Sequence, residues 1–164
     1  MALDIDKILR ETAIKIRHAA NIENLNYIID EKLVFVIIAF DDDMEYAFKA
    51  IKTAGNSLGL NVVRVSDYEE DIKISEKIIE LIQTANFIIA DLSKDKPNVF
   101  FELGYARGLG KTIISTANTN HRINLPFDVQ DWRCEFYSDS KQLEEDLTKR
   151  LKNEMDKQSA CNKV

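Results

Sequence analysis

A chain of 164 residues, 45% hydrophobic and 30% charged, is the size of one compact domain, large enough to bury a core and too small for two ordinary ones. A formal net charge of −6 and a pI near 5.0, with no basic block anywhere, argue against general affinity for a nucleic-acid backbone. Cys134 and Cys161 are too few and too far apart for a disulfide framework or a zinc cluster, and they fit a reducing compartment as two unreactive thiols.

The opening MALDIDKILRE is charged from its fourth residue and lacks the apolar core of a signal peptide or membrane anchor. The longest apolar runs, residues 33–40 and 87–90, are strand-sized, so no membrane span and a cytoplasmic location are expected. Residues 1–31 read as an extension in which Ile5, Ile8, Leu9, Ala13 and Ile16 line one side of an amphipathic helix. That helix either packs on the domain or meets a protein partner or a second copy of the chain, giving a homo-oligomer.

The domain proper is expected over residues 32–157. The continuous run LVFVIIAF, residues 33–40, has the pattern of a strand covered on both faces. Helical spacing follows over residues 43–58 through Met44, Phe48, Ile51 and Leu58, and Gly59 ends it. A second strand is predicted over 61–65. Ile74, Ile78, Leu81, Ile82 and Ala85 then form one buried helical stripe before a third strand at 86–90. The next helix begins near Pro97, a residue tolerated in a first turn because its missing N–H has no intrahelical partner there. Strands at 111–116 and 133–137 follow. A last helix from about Asp139 carries Leu143, Leu147, Leu151 and Met155, and residues 158–164 are expected to fray. Alternating strands and helices imply right-handed βαβ units, hence a doubly wound, flavodoxin-like or Rossmann-like, five-stranded parallel sheet with an extra N-terminal helix.

The stretch FELGYARGLGKT, residues 101–112, looks like a phosphate-binding loop but lacks its spacing, since Gly104 and Gly110 are separated by five residues. It also precedes a strand instead of opening a helix. The glycines fit a helix C-terminus, and attention passes to Glu102.

In open parallel sheets the ligand lies beyond the carboxyl ends of the strands, where strand order reverses. The residues at those ends are Phe40, Asp41, Asp42 and Asp43; Ser66, Asp67 and Tyr68; Asp91, Leu92 and Ser93; and Ser115, Thr116 and Asn118, with Asn98, Phe101, Glu102 and Tyr105 on the helix that follows the third strand. Acidic and small polar groups beside aromatic rings suit a hydroxyl-rich ligand such as a ribose carrying a base. Arg64, Lys73 and helix-start N–H groups are the places for a diphosphate. Each of these residues also has a structural reading: helix-dipole stabilisation for Glu102, turn capping for Asp91 and Asn98, packing for Tyr105. His18 and His121 read as solvated.

The segment FIIADLSKDKPNVFFELGYARGLGKTII, residues 87–114, resembles the signature of nucleoside 2-deoxyribosyltransferase-like and TIR-like nucleotide-binding proteins, and LPFDVQDWRCEFY, residues 125–137, is similar to the stretch preceding the last helix of TIR-like proteins. The resemblance implies chemistry at an N-glycosidic bond of NAD or a related nucleotide, with no cofactor beyond that substrate. Glu102 matches the glutamate that attacks or stabilises the anomeric carbon, and Asp91 matches a substrate-contacting aspartate. Phe40, Asp41, Ser66, Asp67, Asn98, Phe101, Tyr105 and Ser115 are then the expected binding residues, and no metal is expected. By analogy the resemblance also implies a role in bacterial defence against phage. Asn98 stands where the transferases carry an acid, and the Trp-Cys pair that many TIR enzymes place before the glutamate is absent. A nucleotide-sensing module without turnover and a deoxyribosyltransferase therefore remain alternatives to hydrolysis.

Overall fold

A computed structural model describes residues 28–68, 73–121 and 133–161. The expected N-terminal helix and His18 lie outside them, as does most of the motif at 125–137. Five strands form one sheet: β1 (Asp30–Ile37), β2 (Asn61–Val63), β3 (Ala85–Asp91), β4 (Thr112–Asn118) and β5 (Cys134–Tyr137). Their order is β2-β1-β3-β4-β5, and every neighbouring pair is parallel. Among the described residues four helices connect or follow the strands: α1 (Glu45–Ser57), α2 (Ile74–Thr84), α3 (Pro97–Gly108) and α4 (Ser140–Cys161). This is the doubly wound α/β architecture expected from the alternation of elements. No helix among the described residues is long and apolar enough to cross a membrane.

The pleat of β1 explains why its sequence is apolar at every position. Val34, Val36 and Ile38 point into a core shared with α1 and α4, where Phe48, Ile51, Leu143, Leu147 and Leu151 are buried. Leu33, Phe35 and Ile37 point the other way, into a core with Leu81 and Ile82 of α2 and Val99, Leu103 and Ala106 of α3. Two helical layers thus sandwich the sheet.

Several boundaries differ from the sequence expectation. β1 starts at Asp30 and stops at Ile37, so Ile38 and Ala39 are buried outside the ladder and Phe40 emerges 56% exposed. β2 ends at Val63 because residues Val65–Asp67 close a short helical turn, fixed by the Arg64 N–H donating to Asp67 Oδ2 at 3.1 Å. α4 continues through Cys161, past the point where fraying is expected. Its end is tied to the sheet by Asn86 and Gln158, whose side-chain amides exchange hydrogen bonds of 3.1 and 3.0 Å.

Gly108 is the last residue of α3, and Gly110 turns the chain out of it. Gly110 adopts φ +69, a left-handed conformation that other residues resist, and its N–H donates to Arg107 O at 2.9 Å. Lys111 then turns back to donate from Nζ to the carbonyls of Gln83 and Ala85, a structural role in place of phosphate binding.

Candidate functional site

Strand order reverses between β1 and β3: from β1 the chain goes to β2 on one side, then returns to β3 on the other. Ligands of such sheets bind at the carboxyl ends around this switch point. A crevice of about 510 Å³ opens there, lined by Phe40, Asp41, Asp42, Glu45, Arg64 and Ser66. Three of the expected binding residues, Phe40, Asp41 and Ser66, are therefore brought together. Asp67 stands behind them, its carboxylate occupied in the turn with Arg64.

α3 starts at the carboxyl end of β3 and runs back along the sheet. Its buried positions Val99, Glu102, Leu103 and Ala106 form one stripe at helical spacing, so Glu102 faces the sheet among apolar neighbours, about 7–8 Å along the axis from Pro97. It is only 7% exposed. No hydrogen bond or ion pair among the described residues reaches its carboxyl group, and burial pushes its pKa up to about 7. A carboxyl in such surroundings, with no partner among the described residues, is costly to ionise, and Glu102 is not among the residues that line the crevice. Helix-dipole stabilisation, the structural reading of this residue, acts on carboxylates in the first turn, and Glu102 is the sixth residue of α3.

Asp91 is equally buried, at 1% exposure, but its setting is the opposite. Oδ2 accepts from Tyr137 OH at 2.8 Å and from Thr116 Oγ1 at 2.9 Å, and Oδ1 accepts from the Ser93 N–H at 2.9 Å. Ser93 Oγ lies 3.2 Å from Tyr137 OH and accepts from the Asn118 N–H at 2.8 Å, while Asn118 Nδ2 reaches Tyr46 OH at 2.5 Å. This network joins the ends of β3, β4 and β5 to α1. Asp91, expected to contact substrate, thus has three of its roughly four acceptor positions taken by the protein's own donors. Tyr137 belongs to the α1/α4 core and α3 to the opposite layer, so Asp91 and Glu102 lie on opposite faces of the sheet. Burial, reinforced by the Asp91 charge, drives the Tyr137 phenol well above its usual range, so it remains a donor.

Tyr105 is also placed away from the carboxyl ends. Its OH accepts from Gln83 Nε2 at 2.7 Å, and Gln83 lies just before the start of β3, at the amino end of the sheet. Asn98 is exposed in the first turn of α3 and Phe101 is half-buried beside Glu102. Ser115 is buried on the same sheet face as Ala90, the α2/α3 side. Lys73 is paired at the surface with Glu76 at 3.0 Å. The Cys134 thiol is pushed up to about 12 by burial and by the charges of Asp91 and Glu135, so it keeps its proton. Among the described residues no group of three or more His, Cys, Asp or Glu side chains is arranged to hold a metal.

The sequence reading missed Tyr137, the central donor of the Asp91 network, and the lysines Lys94 and Lys96. Lys96 Nζ lies 3.2 Å from Asp41 and Lys94 Nζ 2.5 Å from Asp43, joining the loop after β3 to the loop after β1. A signal was present in their spacing, since both the lysines and their aspartates alternate at i, i+2.

No protein-family model and no curated protein sequence matches the chain. Solved structures do resemble it. The CMP N-glycosidase BcmB of Clostridium botulinum matches with a TM-score of 0.57 and 15% identity, over 71% of this chain and 98% of that one. The TIR domain of the Toll-related receptor TRR-2 of Hydra magnipapillata matches with a TM-score of 0.57 and 18% identity, over 74% and 95% of the two chains. At such identities the likeness is one of fold: this chain is a doubly wound α/β protein of the shape these two share.

Proposed function

We propose that this protein acts on the N-glycosidic bond of a nucleotide, with Glu102 as the group that meets the anomeric carbon. The observation that carries the reading is the buried Glu102 carboxyl, without a partner among the described residues and with a pKa raised to about 7, on the helix leaving the switch point. As the bond from C1′ to the base nitrogen breaks, its electron pair leaves with the base and positive charge develops at C1′ and the ring oxygen. An ionised Glu102 stabilises that charge, by attraction or by forming a transient ester, and water or an acceptor then completes hydrolysis or transfer. Apolar surroundings strengthen this attraction, because little water screens it. The likeness in fold to a CMP N-glycosidase and to a TIR domain supports the same reading. NAD, NADP and CMP are the substrates to try first.

A second reading, nucleotide sensing without turnover, draws support from Asp91: the other acid expected at the site is committed to internal hydrogen bonds, so no free partner acid accompanies Glu102 from that position. The two readings part in one experiment. The protein and its Glu102→Gln variant are incubated with NAD, NADP, CMP and a set of nucleosides, with and without an added free base, and the products are separated by chromatography. Substrate lost only with the intact carboxylate supports the enzyme, and base exchange identifies a transferase. Unchanged substrates that nonetheless bind support the sensor, and absence of both binding and turnover contradicts both.

A further inference from the structure

Three cations surround the switch point, and each is held by a carboxylate from one short segment. Lys96 pairs with Asp41 at 3.2 Å, Lys94 with Asp43 at 2.5 Å, and Arg64 with Glu45 at 2.7 Å. The acids alternate along residues 41–45, at the end of β1, whereas the cations come from its two neighbours: Arg64 follows β2, and the lysines follow β3. The segment is thus strapped to both flanking strand ends. The Arg64 guanidinium is further fixed 4.0 Å over the Phe48 ring, and its buried Nε has no hydrogen-bond partner. Asp42 is the remaining carboxylate of the segment, and Asp67 lies 3.7 Å from Arg64 Nε.

Exposed ion pairs of this kind contribute little to stability, yet three are aligned along one segment beside the candidate site. All six side chains keep contact with solvent, from 22% exposed for Arg64 to 57% for Asp43, so an outside anion can reach the cations by exchange. Arginine and lysine beside a parallel-sheet switch point are groups that hold phosphate oxygens, the first through its planar fork and the second as a point charge. The cations sit on either side of β1, so they are spread over about 10 Å, which favours a diphosphate over a lone phosphate.

We propose that residues 41–45 form an acidic strap occupying a diphosphate-recognition site, in which Asp41, Asp43 and Glu45 stand in for ligand oxygens on Lys96, Lys94 and Arg64 until a diphosphate-bearing ligand displaces them. The inference rests on the reading of the protein as one that acts on nucleotides and specifies their class. The strap carries Phe40, so its displacement also moves the one exposed aromatic ring of the crevice. Ligand binding and rearrangement of the crevice are then the same event.

Inorganic pyrophosphate tests the site alone, because it has neither base nor glycosidic bond. Titration calorimetry is carried out on the unaltered protein, on Asp41→Asn/Asp43→Asn, and on Lys94→Met and Lys96→Met separately, with thermal unfolding to confirm that each is folded. Removing the two strap charges is expected to tighten pyrophosphate binding at least fivefold, and either lysine change to weaken it at least fivefold. ADP is expected to bind at least tenfold more tightly than adenosine. Pyrophosphate affinity that is unchanged or lowered by Asp41→Asn/Asp43→Asn, or indifferent to both lysines, overturns the proposal, as does equal affinity for ADP and adenosine. Glu102→Gln is expected to bind pyrophosphate like the unaltered protein, so failure of the glycosidic reading and failure of this one appear in different assays.

Discussion

Asp91 and Glu102 are both buried carboxyl groups near the carboxyl ends of the sheet, yet the protein treats them in opposite ways. Asp91 accepts three hydrogen bonds, from Ser93, Thr116 and Tyr137. Glu102 accepts none among the described residues and is flanked by Val99, Leu103 and Ala106. A carboxylate with three internal donors serves the scaffold, because most of its lone pairs are engaged. One without donors is a liability to the fold that a ligand can use. Contact inventory, more than burial, separates the structural acid from the candidate catalytic one.

The contrast is broken most sharply by replacing Glu102. Glu102→Gln keeps the shape and removes the charge, so turnover of a nucleotide substrate is expected to fall by on the order of 10³-fold in a product assay, with the fold intact. Asp91→Ala is expected to show the reverse emphasis. Stranding three buried donors costs about 3–5 kcal/mol of stability, read from denaturant unfolding.

The pH dependence of stability sharpens the contrast further. The Glu102 carboxyl has a folded pKa of about 7, above its unfolded value of 4.5. Below 4.5 it is protonated in both states and costs nothing. As pH rises from 4.5 through 7 the unfolded chain releases the proton first, so stability falls, by about 3 kcal/mol in all. Glu102→Gln lacks this loss, and the gap between the two proteins is expected to open across that window and then stay constant. Under the proposed mechanism, in which the ionised form meets the developing charge, turnover should move in the opposite direction, rising with pH and levelling above about 7. The smallest effect belongs to Tyr137→Phe, which removes one of the donors on Asp91 Oδ2 while Thr116 remains. A loss of about 1 kcal/mol is expected, with little change in turnover.

How far these residues were legible in sequence depends on what fixes them. The strands and helices were readable from local periodicity, because residues 33–37 are apolar on both parities and the Leu143, Leu147, Leu151 stripe has helical spacing. The position of Glu102 was readable too, from its place on the helix after β3. Its isolation was not, because that depends on what does not surround it. The hydrogen bonding of Asp91 was not legible, since a strand-end aspartate looks the same whether it faces a ligand or a tyrosine, and Tyr137 is 46 residues away in the chain. The Gln83 partner of Tyr105 was hidden for a related reason: it lies 22 residues away in the chain. The helix end past residue 158 depended on Asn86, a partner equally remote in sequence.

The measurement closest to the central claim is a ¹³C NMR titration of the Glu102 side-chain carboxyl, assigned by its disappearance in Glu102→Gln, with and without nucleotide. An inflection near pH 7 in the free protein that moves when nucleotide binds is the result expected of a solitary, desolvated carboxyl in a working site. An inflection near 4.5, indifferent to nucleotide, would contradict it.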